Sequence, residues 1–351
     1  MTALIRTSAE QAERIIADNH AEWGLPTLSL EQYRAREHRL AQCTFARSGY
    51  ERWALVPADD KSAPDVLSSC EVYEHPAVLV DAGGAVHDGV CLAIASVYTP
   101  AAQRRKGHAA MMLATLAETV FRKHPRAVAS TLFSDIGPRY YDRLGWRVHP
   151  SVSAVLDLAR LPSGVGAAAA AAASAGAVEL SIRNPLVLAE LLRLDAERTR
   201  SDTISSFSGT PLVAVLPTAA VVEWNFERGV FYAEILGRAI PDCCGVHFAG
   251  PQGGLVLWFH NFKENELAVL RCRVLSQAAA DAALAACAAE AARHGLARVQ
   301  LWDPCDLILG SASFPVELVE RTSSLSSLMV LAGTPSNVLP VWINNEKFGW
   351  V

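Results

Sequence analysis

One stretch limits what this chain can fold into more than any other. It runs Ser96-Val97-Tyr98-Thr99-Pro100, then Ala101-Ala102-Gln103-Arg104-Arg105-Lys106-Gly107-His108-Ala109, then Met111, Met112, Leu116, Ala117 and Val120 at helical spacing. Residues 89–99 form an apolar run that ends in β-branched and aromatic side chains between Gly83-Gly84 and Pro100, the pattern of a buried strand. Residues 106–123 read as a helix, with Lys123 and His124 suited to its negative end and Pro125 stopping it. A helix start carries unpaired N–H groups and the positive end of the macrodipole, and here three basic side chains stand beside it. Gly107 and Ala109 put no bulk between the main chain and an approaching anion. A pyrophosphate fits those requirements.

The chain has 351 residues, 51% of them hydrophobic, enough for two domains with substantial cores. A formal net charge of -5 argues against a general nucleic-acid binder, whose affinity needs a basic surface. Eight cysteines without a C-x-x-C pair indicate neither a zinc site nor a disulfide scaffold and read as reduced core residues. Residues 1–13 lack a continuous apolar region, and the apolar stretch 212–222 is short and interrupted by Pro217, so neither a secretory signal nor a membrane span is expected. A cytoplasmic protein is the default expectation.

Capping boxes at Thr7-Ser8-Ala9-Glu10-Gln11 and Ser29-x-x-Gln32 predict a helix over 8–22 and a second one carrying Tyr33, Arg36, Glu37 and Leu40. Strands follow at 52–56, at 66–80 with a bend near Pro76, and at 127–133; Ser134-Asp135 caps a short helix to Leu144, and 146–158 supplies the last strand of this half. Residues 161–177, with seven consecutive alanines, read as a linker. Beyond it come helices at 185–198 and 218–228, strands at 245–249, 255–260 and 267–274, a helix at 277–294 capped by Ser276, and a strand at 297–301. That order repeats the first half. The expected fold is α/β (α+β): a mixed, mainly antiparallel sheet flanked by helices over 1–160, then a degenerate second copy over 178–351.

The loop Arg104-x-x-Gly107-x-Ala109 after a strand, with Tyr141-Asp142-Arg143-Leu144-Gly145-Trp146 downstream, resembles the GNAT superfamily of N-acetyltransferases. The chain departs from the common loop at Pro100, four residues before Arg104 instead of three. The resemblance implies acetyl-CoA as co-substrate, with Val97, Tyr98, Thr99, Arg104, Arg105, Lys106, Gly107, His108, Ala109 and Asp135 around it. It also implies that the Tyr141 hydroxyl protonates the leaving sulfur, with Tyr140 as the alternative. No metal is expected. The second half offers only Leu275-Ser276-Gln277-Ala278 at the matching place, with no glycine or basic cluster for a second CoA.

Further segments resemble the fungal lysine N6-acetyltransferases: Tyr33-x-x-Arg36-Glu37, Ser69-Cys70-Glu71, Ser134-Asp135-Ile136-Gly137-Pro138-x-Tyr140-Tyr141, and the terminal Trp342-Ile343-Asn344-Asn345-Glu346-Lys347-Phe348-Gly349-Trp350. This implies acetyl transfer to the side-chain amine of free L-lysine, in lysine breakdown. Another small amine, a protein lysine, or a CoA-binding regulatory protein without catalysis are the alternatives. A lysine amine of pKa about 10.4 costs roughly 4 kcal/mol to deprotonate near pH 7.4, so a base or a water relay is expected. Residues 90–98 contain no carboxylate. Glu71 is therefore the first candidate base, followed by Glu37 and Asp135, with His75 and His108 weaker. Glu37, Glu71, Asn344 and Glu346 are the candidate acceptor contacts, although the terminal segment reads first as a closing strand with satisfied polar groups.

Overall fold

A computed structural model describes residues 1–161, 176–248, 254–334 and 338–351; the alanine run of the expected linker lies outside the described residues. The first half contains β1 (Thr2–Arg6), α1 (Ala9–Trp23), α2 (Leu30–Ala41), α3 (Thr44–Gly49), β2 (Tyr50–Pro57), β3 (Ser68–Val80), β4 (Val86–Tyr98), α4 (His108–Leu116), β5 (Ala127–Ser134), α5 (Arg139–Asp142), β6 (Arg147–Val148) and β7 (Val152–Asp157). The second contains β8 (Ala177–Ser181), α6 (Pro185–Ser205), β9 (Leu212–Val215), α7 (Ala219–Ile235), β10 (Cys243–Phe248), β11 (Gly254–Asn261), β12 (Glu266–Val274), α8 (Gln277–Arg293), β13 (Arg298–Trp302), α9 (Asp306–Leu309), β14 (Glu317–Glu320), β15 (Leu325–Val330) and β16 (Val341–Ile343).

Two sheets result. The first has the order β1-β2-β3-β4-β5-β15-β6, with β9 on β3 and β16 on β9; the second has the order β14-β7-β13-β12-β11-β10-β8. In each, an antiparallel meander leads through a helix into one parallel neighbour, β4 to β5 and β12 to β13. A mixed sheet flanked by helices thus occurs twice, in the expected order of elements. The sheets do not divide where the alanine run divides the sequence. The expected single strand over 146–158 is two strands: β6 pairs with β15 in the first sheet, whereas β7 pairs with β13 and β14 in the second. The chain crosses at Pro150, which cannot donate to either ladder. In return β9, β15 and β16 complete the first sheet, so each half supplies strands to the other's core.

The expected bend at Pro76 is absent, since β3 runs on through it and pairs Pro76 with Val90. On the opposite edge β2 pairs only as far as Tyr73 and β9 begins at Ala77. The missing N–H of Pro76 thus falls in the gap between two partners, where no ladder bond is lost.

A core shared by both halves lies between the sheets and includes Leu79, Ala129, Val213, Trp224, Phe226, Leu257, Leu270 and Phe348. Helix α7 approaches β11 so closely that a Cβ on Gly229 would lie 2.8 Å from the His260 carbonyl oxygen, which explains glycine there. Helix α8 presents mostly alanines to the second sheet, and Ser276 Oγ accepts from Ala279 N at 3.2 Å, taking an N–H that a phosphate would need. Of the cysteines, Cys305 is exposed and Cys272 half-buried; the other six are buried, and no disulfide forms. No described helix is long and apolar enough to cross a membrane.

Candidate active site

The parallel ladder between β4 and β5 runs from Val90↔Ala127 to Ile94↔Leu132 and stops, although β4 continues to Tyr98 and β5 to Ser134. Along its other edge β4 stays on β3, but with an extra residue between Ala95↔Glu71 and Tyr98↔Ser69; Ser96, at φ 50°, lies in this bulge. The two strands therefore part, and the main chain of Ala95, Ser96, Val97 and Tyr98 faces a gap instead of β5. Unpaired strand amides suit an extended ligand that carries amides of its own. The gap opens into a cavity of about 910 Å³, within the size range of small-molecule sites.

At one end of the cavity is the basic loop. A short 3₁₀ turn at Ala101–Gln103 takes up the extra residue behind Pro100, and the chain then passes through left-handed backbone at Arg105 (φ 62°) and Gly107 (φ 81°). Helix α4 starts at His108, two residues later than expected, because Gly107 is its cap. Among the described residues nothing accepts from the N–H groups of Gly107, His108, Ala109 and Ala110, so the anion cradle is built from the main chain. A Cβ on Gly107 would meet nothing within 4 Å, so the positive φ, not lack of space, calls for glycine. Arg104 donates from Nε to the Thr99 carbonyl at 3.1 Å and lies 5.7 Å over the Tyr98 ring. Lys106 turns to Gln103 Oε1 at 3.1 Å and is outside the lining, a correction to its expected role; Val97, Tyr98, Thr99, Arg104, Arg105, Gly107, His108 and Ala109 are within it.

Asp135 lines the cavity, but it does not cap a helix. Its Oδ1 accepts from Ser324 N at 2.8 Å, which ties β5 to the turn before β15, while Ser134 Oγ bridges Ile136 N and Gly137 O. Tyr140 and Tyr141, on α5, meet edge to face at 5.0 Å and both reach the cavity. Burial, with Tyr140 and Asp135 nearby, pushes the Tyr141 hydroxyl well above its ordinary value, so it keeps its proton at any physiological pH. No described group bonds that hydroxyl.

The wall made by α1, α2, β2, β3 and α7 holds the charged groups. Glu71 is cross-strand neighbour to Arg52. Its Oε1 accepts from Arg52 and from the Tyr50 hydroxyl at 2.9 Å, and its Oε2 accepts from Ser96 Oγ at 2.8 Å. Burial acts to raise its pKa, but Arg52 and the three hydrogen bonds outweigh it and hold the carboxylate below its ordinary value. It is ionised, yet its basicity is reduced and both oxygens are occupied. This geometry suits an anchor for Arg52, Tyr50 and Ser96 better than a proton acceptor. Glu37 lies in the same lining, with Oε1 taking two bonds from Arg36, whose third reaches the Tyr232 hydroxyl at 2.9 Å.

His75 is not a base for this site. It is buried outside the lining against Phe45, and desolvation lowers its pKa to about 4. Asn344 and Glu346 do not reach the cavity either. Glu346 accepts from Arg271 at 2.5 Å and from Cys272 N at 2.9 Å, fastening the terminal segment to β12. The segment's contribution to the lining is Trp350 and Val351. Tyr50, Arg52, Trp224 and Arg228 also line the cavity without having been marked out by a motif. The i, i+4 spacing of Trp224 and Arg228 on one helix is the signal that ties those two together.

Among the described residues one trio of metal-type side chains converges away from the cavity: His260, Glu290 and His294. Both imidazoles direct Nε2 at Glu290 Oε1, at 2.9 and 3.4 Å, and neither Nδ1 has a partner. A metal on the Nε2 atoms would leave two buried N–H donors unbonded at Nδ1, so the trio is better used as a hydrogen-bonded brace between β11 and α8.

Residues 174–351 match the family described as LYC1 GNAT-like C-terminal domain. Over 301 residues the chain is 23% identical to a lysine acetyltransferase of Yarrowia lipolytica, covering 76% of this chain and 74% of that one. The crystal structure of a GCN5-related N-acetyltransferase from Kribbella flavida is similar with a TM-score of 0.56 and 15% identity, over 94% of this chain and 72% of the other. A GCN5-related N-acetyltransferase from Anabaena variabilis gives 0.54 and 10% identity over 95% and 73%. At these identities the structures speak for the fold.

Proposed function

We propose a reaction for a chain that belongs to the LYC1 GNAT-like family of N-acetyltransferases: acetyl transfer from acetyl-CoA to the side-chain amine of free L-lysine, as a step in lysine breakdown. The observation that carries it is the wall opposite the loop. Trp224, Arg228 and Trp350 from the second half line the same cavity as Tyr33, Arg36 and Glu37, so bulky side chains of both halves share the acceptor wall, which favours a small amino acid over a peptide strand.

The residues fit acetyl-CoA. The free N–H groups of Gly107, His108, Ala109 and Ala110, with Arg104 and Arg105, would hold its phosphates, and Val97, Tyr98 and Thr99 would line its amide arm. When bound, it supplies an acyl thioester. The wall from Tyr33 to Trp350 holds the acceptor so that its neutral amine nitrogen bonds to the acetyl carbon as the carbon–sulfur bond breaks. Tyr141 gives its proton to the departing sulfur and is reprotonated from solvent, while the proton lost by the amine goes to water. Glu71 keeps Tyr50, Arg52 and Ser96 in place throughout.

Two measurements test this. Product identification by mass spectrometry over a panel of amines should show acetyl-lysine; acetylation of other amines with no response to lysine would reject the substrate and spare the reaction class. Tyr141→Phe removes one hydroxyl, so kcat should fall about 10- to 1,000-fold while acetyl-CoA binds as before. Unchanged turnover would move the acid to Tyr140 or to water.

The pH profile separates an anchoring Glu71 from a base. Because Glu71 is held below its ordinary value, it stays ionised throughout the neutral range and adds no titration there. The logarithm of kcat/KM should then climb with about unit slope from roughly pH 6 to 9, following the free amine fraction of a group with pKa about 10.4. A plateau starting near neutrality would point to a base with a raised pKa.

A further inference from the structure

On the reading of the acceptor as a free amino acid, we infer that Arg228, beside Trp224 and Trp350, is the specificity residue and binds the acceptor's carboxylate with its planar fork. The charges of the wall lead to it. Arg36, Arg52 and Arg228 line the cavity there, together with Glu37 and Glu71. Arg36 is paired with Glu37, and Arg52 with Glu71. The neighbouring Glu227 is taken by Arg39 from outside. Arg228 remains, and among the described residues it has neither an ion-pair partner nor a hydrogen-bond acceptor. What holds it is two ring faces, Trp350 at 4.7 Å and Trp224 at 5.9 Å.

An arginine in such a place is costly for the empty protein. Burial, and then Arg36 beside it, press its pKa down, and its five N–H donors have no acceptor within the described residues. The two ring contacts take none of its donors and Arg228 lines the cavity, which suits a bidentate carboxylate more than a single point charge. Glu37 supplies the complementary half. Arg36 takes its Oε1 twice, and no described group bonds Oε2, so an ammonium can be held there. A free amino acid offers both charges on one carbon. A diamine offers no carboxylate, and a lysine within a protein offers neither charge.

The test compares L-lysine with 1,5-diaminopentane, which keeps the reacting amine and chain length but lacks the carboxylate, in wild type, Arg228→Gln and Arg228→Lys. Wild type should strongly prefer lysine. Arg228→Gln should raise KM for lysine about 30- to 100-fold with a much smaller change in kcat, and the lysine preference should collapse because the diamine loses far less. Arg228→Lys should recover part of the preference as a point charge. Acetyl-CoA binding, followed by calorimetry, should be retained by both variants and also reports that they fold. Equal losses on the two amines, or a weakened acetyl-CoA complex, would overturn the assignment while leaving lysine as substrate. Acetylation of neither amine by wild type would instead reject the function on which the assignment rests.

Discussion

Arg271→Met should lower the stability of the folded chain by about 3–5 kcal/mol at neutral pH, a loss large enough to measure as a shifted urea midpoint. Arg271 is a buried hub. Its Nε and one terminal nitrogen meet both oxygens of Asp195 on α6, its other terminal nitrogen meets Glu346, and Thr199 Oγ1 accepts at 3.2 Å. After the substitution Asp195 still has Arg273 Nε at 2.5 Å, whereas Glu346 keeps only the Cys272 N–H. Burial already raises the Glu346 pKa above its ordinary 4.5 against the pull of Arg271, and without that pull it must rise further. A carboxyl whose folded pKa lies above its unfolded one contributes stability that is complete below about 4.5 and is lost as pH rises through the folded value. The deficit of Arg271→Met should therefore be smaller near pH 5 than near pH 8. Adding Glu346→Gln should restore more than half of the loss at pH 8, since an amide oxygen can still accept from Cys272 and no buried charge is left unpaired. A deficit independent of pH, unrelieved by Glu346→Gln, would mean that packing and not the stranded charge sets the cost.

That network also ties down the terminal segment, whose last residues line the cavity. Its place among aromatics makes Glu346 a candidate acceptor contact in the sequence, whereas in the fold it fastens the terminal segment to β12, and Trp350 of that segment stands 4.7 Å from Arg228. The partner of Glu346 is not legible in the sequence, because a carboxylate in a motif looks the same whether an arginine of β12 or a ligand satisfies it.

Local signals survived into the fold where the physics is local. The capping boxes at Ser8 and Ser29 close as expected, Ser276 caps α8, and the strand, basic loop and helix around Gly107 appear in order. Periodicity recovered the second-half meander because each strand pairs with its sequence neighbour. It did not separate β6 from β7, since a two-residue strand is too short to show a period and nothing in two adjacent short strands says which sheet each will join. The short β9 and β15 are not legible for a related reason, since partners such as Ser134 for Leu325 lie far away along the chain, whereas β16 falls where a closing strand is expected. The pairing of Arg52 with Glu71 needed the β2–β3 register, and the unpaired state of Arg228 needed the positions of every acid around it. Pairing is a property of the whole wall, so no single stretch displays it.

Gly107→Glu should abolish useful acetyl-CoA binding, with Kd raised at least about a hundredfold. Two effects add. Gly107 sits at φ 81° and ψ 6°, where any side chain with a Cβ costs about 1–2 kcal/mol, but a Cβ there meets nothing within 4 Å, so the protein should still fold. The larger effect is electrostatic. A carboxylate about 5 Å from a phosphate repels it by roughly 3 kcal/mol at an effective dielectric constant near 20, which is about two powers of ten in affinity. It would also compete for the free N–H groups of His108, Ala109 and Ala110 that form the cradle. Gly107→Asn separates the two effects, because asparagine tolerates left-handed backbone and brings no charge. Calorimetric titration with CoA should give Gly107→Asn an affinity within about tenfold of wild type and Gly107→Glu no measurable saturation at the same concentrations. If both variants bind equally well, the phosphates lie elsewhere. If both fail equally, the backbone turn and not the charge of the site limits binding, and the cradle assigned to the start of α4 would have to be rebuilt around the side chains of Arg104 and Arg105.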